Sequence, residues 1–143
     1  MISKISNGAE SKLSRNVIIL AIVMIVNVVI IILLTPIGYE TRPQSDLKPF
    51  GYIAIATIFI GLALDLASIG LLFKRVRVRL ASSLAIVSSV LFLPVILVDR
   101  TGSFFSVTIP PAINTLEYIF IVVLIVTLFV ASLVYRRSKP ASS

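Results

Sequence analysis

Four stretches of this chain, residues 17–34, 50–73, 80–98 and 115–135, are apolar almost throughout. Each matches the ~20 residues of helix that cross the ~30 Å hydrocarbon core of a bilayer. Within lipid every backbone N–H and C=O must find its partner inside the protein, so such runs form α-helices. Composition agrees: 58% of the 143 residues are hydrophobic and 13% charged, too little polar surface for a water-soluble domain of this size. The expectation is an all-α integral membrane protein, a single membrane domain over 1–143, arranged as an up-down-up-down four-helix bundle.

A cleaved signal peptide is the competing reading of the first run. Such peptides carry about 7–15 apolar residues before a small-residue cleavage site. This run is longer and ends in Thr35-Pro36-Ile37-Gly38, so a retained signal anchor is expected. Residues 35–49, with Pro36, Gly38, Pro43 and Pro49, read as a turn-rich loop, as do residues 99–114 with Gly102 and Pro110-Pro111. Only Lys74–Arg79 separates the second and third spans, which makes them a tight antiparallel hairpin. Asn114 and Glu117, three apart at the head of the fourth span, have the spacing of a capping box. Glu117 is therefore expected to cap a helix rather than serve as a functional carboxylate.

Ten of the 13 lysines and arginines lie in the N-terminal segment, the 74–79 link and the C-terminal tail. Arg42, Lys48 and Arg100 are divided between the other two loops. Positive charge is retained on the cytoplasmic side, so both termini and the link are expected there, most simply at the plasma membrane. Lys74, Arg75, Arg77, Arg79, Arg136 and Arg137 then form a basic face for anionic lipid headgroups, each contributing about 1 kcal/mol. Topology accounts for the +7 net charge, and no nucleic-acid recognition element accompanies it.

The absent residue types narrow the chemistry. There is no His, Cys or Trp. A His- or Cys-held haem, an iron–sulfur cluster, a Cys/His zinc site and Cys or His nucleophilic catalysis all need those side chains. The six acidic residues are scattered. No cofactor, metal centre or catalytic residue is expected, and the chain is not expected to be an enzyme by itself, although it can belong to a membrane enzyme complex.

Two polar patterns remain. In the second span Ala54, Thr57, Gly61, Asp65 and Ser68 recur at steps of three and four and so share one helical face. Ser82, Ala85 and Ser89 repeat the pattern in the third. Small residues let membrane helices approach closely, so these strips read as helix-packing faces, with a substrate or ion path as the alternative. Counting inward from the cytoplasmic charges places Asp65, Ser88 and Thr127 nine residues deep and Asn27 twelve. At ~1.5 Å rise per residue that is a depth of ~13 Å, with Asn27 somewhat farther out. Every span thus contributes one polar group near one level. Hydrogen-bond ties between helices, a proton- or ion-binding layer, and coincidence are all compatible with this spacing.

Small size, short loops and close-packing faces favour a non-catalytic membrane subunit that packs against larger integral membrane partners, with helix two's strip as the contact. The alternative is a small oligomeric proton- or ion-coupled transporter or channel that uses Asp65.

Overall fold

The computed structural model describes residues 2–41, 47–49, 51–101 and 109–138, with side chains of the first helix described over 14–35. It is all-helical. Helix α1 covers Ile2–Thr41, α2 Gly51–Lys74, α3 Val78–Asp99 and α4 Pro111–Arg137. Each contains a segment long and apolar enough to cross a membrane: Ser14–Thr35, Gly51–Lys74, Val78–Asp99 and Pro111–Arg137. Between 22% and 39% of each apolar window is buried inside the bundle, so most of its apolar surface faces outward, as lipid requires and water does not tolerate. Phe59, Phe73 and Phe129, each 67% exposed, belong to this outer wall.

Helix α2 packs on α3, α3 on α4, α4 on α1 and α1 on α2, forming a helical bundle. Its buried side chains form two apolar clusters. One joins Val17, Leu20, Ala21 and Met24 of α1 to Leu72 of α2, Ala81 and Ala85 of α3, and Val130, Ala131 and Val134 of α4. The other joins Ile30 and Ile31 to Phe92, Ile96, Phe120 and Leu124, with Ile58 and Leu62 of α2 packed against it. Phe92 and Phe120 meet with centroids 5.3 Å apart and planes tilted by 53°, within the range of favourable aromatic pairs.

Several boundaries differ from the sequence expectation, and α1 already starts at Ile2, ahead of the apolar run that begins at residue 17. Helix α1 does not stop before Pro36 but continues to Thr41. Proline removes one hydrogen bond, here to the Ile32 carbonyl, and a membrane helix tolerates that loss. Helix α4 begins at Pro111, a turn ahead of Asn114, with Pro110 as its N-cap. Proline at the first helical position gives up an N–H that has no intrahelical partner anyway, and its φ is already helical. Asn114 therefore lies inside the helix, and the capping-box reading of Asn114 and Glu117 is incorrect.

The α2–α3 link shrinks to Arg75, Val76 and Arg77. The N–H of Arg75 donates to the Leu72 carbonyl at 3.1 Å and that of Val76 to the Leu71 carbonyl at 3.2 Å. This pair of bonds, with Arg75 at φ 54°, is a Schellman C-cap. Glycine usually takes the left-handed position; arginine occupies it here, and Arg77 follows at φ 49°. Non-glycine residues in this region cost on the order of 1 kcal/mol each.

Candidate functional site: a polar layer inside the bundle

Asn27, Asp65, Ser88 and Thr127, one from each helix, are all nearly inaccessible, at 1%, 2%, 1% and 0% exposure. Each lies between the two apolar clusters along its own helix: Asn27 between Met24 and Ile30, Asp65 between Leu62 and Leu72, Ser88 between Ala85 and Phe92, and Thr127 between Leu124 and Val130. The structure joins them as two pairs. Asn27 Nδ2 donates to Thr127 Oγ1 at 2.9 Å, tying α1 to α4, while the Thr127 hydroxyl donates to the Val123 carbonyl of its own helix at 2.8 Å. The Ser88 hydroxyl donates to Asp65 Oδ1, tying α3 to α2, and lies 3.3 Å from the Gly61 carbonyl. Two buried oxygens of the layer, Asp65 Oδ2 and Asn27 Oδ1, have no hydrogen-bond partner. Both are acceptors.

The small-residue faces are used within the chain. Ala54, Gly61 and Ser68 of α2 are buried, as are Ser82, Ala85 and Ser89 of α3. A Cβ built on Gly61 would run into the Phe92 ring, so glycine permits the closest approach of α2 to α3. The Ser68 hydroxyl crosses the same interface to the Ala81 carbonyl at 2.8 Å. Ser82 instead bonds the Arg79 carbonyl of its own chain segment at 2.9 Å. Thr57 departs from the strip: it is half-buried, and its hydroxyl returns to the Ile53 carbonyl at 2.8 Å.

At the link end, Lys74, Arg75, Arg77, Arg136 and Arg137 are exposed. Arg75 Nη1 donates to Ser14 Oγ at 2.7 Å, and the half-buried Arg79 guanidinium lies 4.2 Å from the Tyr135 ring centroid, within cation–π range.

A second polar centre was not singled out from the sequence. Arg100, at the C-cap of α3, reaches across to α4. Its Nη2 donates to Asn114 Oδ1 at 2.8 Å and to the Tyr118 hydroxyl oxygen at 2.7 Å, and its Nη1 lies 3.6 Å from Glu117 Oε1. Asn114, Glu117 and Tyr118 stand at i, i+3 and i+4, one helical face, and that spacing opposite an arginine just after a span was the available signal. Among the described residues, no three potential metal-binding side chains come together.

No family model matches this chain, and comparison with the curated proteins and with the solved structures gave no match.

Proposed function

We propose that this chain is a small non-catalytic integral membrane subunit that packs against larger membrane partners. One observation carries the reading: its buried polar side chains are largely spent on ties between its own helices, while the outside is an apolar wall. The partner contact is accordingly placed on that outer wall and not on the Gly61 strip. Purification of the native protein in mild detergent should yield a hetero-assembly. A native particle made only of copies of this chain would overturn the subunit reading.

The up-down-up-down path, with both termini and the basic link on the cytoplasmic side of the plasma membrane, belongs to the same proposal. It is supported by the cluster that unites the early part of α1 and α3 with the late part of α2 and α4, and by the lysine and arginine distribution. Membrane lipids are then the partners of Lys74, Arg75, Arg77, Arg79, Arg136 and Arg137. Cysteines introduced at Ser103 and Ser142, both outside the described residues, test the orientation. In intact cells an impermeant thiol reagent should label Ser103→Cys and spare Ser142→Cys; the reverse pattern would refute it.

A second reading, an ion- or proton-coupled transporter or channel built around Asp65, is favoured by the two unpartnered acceptors of the polar layer.

A further inference from the structure

A buried acceptor without a donor costs about 1–3 kcal/mol, and more when it belongs to a charged group. Native interiors seldom leave such groups unmatched. The polar layer contains two, Asp65 Oδ2 and Asn27 Oδ1, on helices that pack against one another and at the junction of the same two apolar clusters. The Ser88 hydroxyl already serves Asp65 Oδ1, and the amide nitrogen of Asn27 already serves Thr127. What the layer lacks is positive charge or donors, directed at two oxygens.

We infer that this layer is a binding site for one small monovalent cation, sodium, held by Asp65 and Asn27. The inference deepens the second functional reading and rests on the layer that motivates it. Carboxylate and carbonyl oxygens suit hard cations, and soft metals would need the thiolate or imidazole ligands this chain lacks. Hard divalent ions take more oxygen ligands and usually more than one carboxylate, whereas this layer offers one. An anion would meet two acceptor oxygens and be repelled. Competing charge is remote. In the described spans the other titratable or charged groups are Arg15 on α1, Tyr52 and Lys74 on α2, Arg79 and Asp99 on α3, and Glu117, Tyr118, Tyr135, Arg136 and Arg137 on α4. All lie toward the ends of the spans, outside the layer.

The test is thermal unfolding of the full-length protein in detergent, in two arms. In the sodium arm, pH and ionic strength are fixed and choline chloride is exchanged for sodium chloride. In the proton arm, sodium is absent and pH is lowered from 8 to 5. A ligand that binds only the folded state stabilises it by mass action, so saturation should raise Tm by on the order of 5 °C in the sodium arm. Asp65→Asn, which keeps shape and most hydrogen bonding, should abolish that rise. Equal melting in choline and sodium would overturn the site, and a rise confined to the proton arm would show a buried carboxyl that only protonates; a full sodium response in Asp65→Asn would overturn it as well. Should Asp65→Asn not fold, Asn27→Thr provides the second variant and should raise the half-saturating cation concentration at least tenfold; an unchanged value refutes the role given to Asn27. Binding without sodium or proton flux across proteoliposomes would uphold the site and remove the transport reading.

Discussion

Gly61→Leu should prevent the bundle from assembling, with a loss of stability above about 3 kcal/mol. Even a methyl group added to a packed interior typically costs about 1–3 kcal/mol, because neighbours must leave their rotamers or the backbones must separate. At Gly61 the new atoms meet the Phe92 ring, which is 1% exposed and braced by Phe120, so it has nowhere to swing. Gly61→Ala should show a smaller version of the same defect. Phe92→Ala introduced alongside Gly61→Leu should recover part of the loss by exchanging one volume for another. Gly70 is the control: a Cβ there meets nothing within 4 Å, so Gly70→Leu should unfold like the wild type. Unfolding of purified protein followed by circular dichroism measures all four. If Gly61→Leu instead left the isolated chain intact and only released a partner, the assignment of this contact to the chain's own interior would be wrong.

Arg100→Ala should cost about 2–3 kcal/mol. Removing one member of a buried ion pair leaves the other charge uncompensated, a loss of about 3–5 kcal/mol when both are fully enclosed. The figure is reduced here because the Arg100 side chain is 25% exposed, whereas Glu117 is 6% exposed. The substitution also strips donors from Asn114 and Tyr118. Arg100→Lys keeps the charge but cannot fan out to three acceptors, so it should restore only part of the stability. Adding Glu117→Gln to Arg100→Ala removes the buried carboxylate charge and should recover more than half of the deficit. A double variant no more stable than Arg100→Ala would show that the Glu117 charge is not the origin of the loss.

The four helices could be read directly from the sequence because lipid leaves the backbone few alternatives, and their apolar runs needed no knowledge of tertiary packing. The level shared by Asn27, Asp65, Ser88 and Thr127 was also visible, since helical rise converts sequence distance into depth. Their partnership was not. Which hydroxyl faces which carboxyl depends on the rotation of each helix about its axis, and with apolar residues on all sides little in the pattern fixes that rotation. The same ambiguity sent the small-residue strip of α2 to an outside partner, when Gly61 and Ser68 face α3. At the head of α4, the Asn114–Glu117 spacing fits both a capping box and any pair on one helical face. Pro110-Pro111 was the stronger start signal and places Asn114 within the helix. Arg100 was read only as a charge to be counted, because its partners lie on another helix.

The tie between Asp65 and Ser88 has a bearing on how the chain enters the membrane. An aspartate at the centre of a lone helix costs about 2.5–3.5 kcal/mol on insertion scales. Helix α2 carries that residue and is also the least apolar of the four spans. Its hydrogen-bonding partner arrives 23 residues later, on the far side of a three-residue link whose capped backbone already reverses the chain. Synthesis therefore delivers the liability and its remedy almost together. The economical order of events is for α2 to wait at the translocon until α3 emerges and for both to move into lipid as one preformed hairpin, so that lengthening the link should slow biogenesis even where it leaves the finished bundle unchanged.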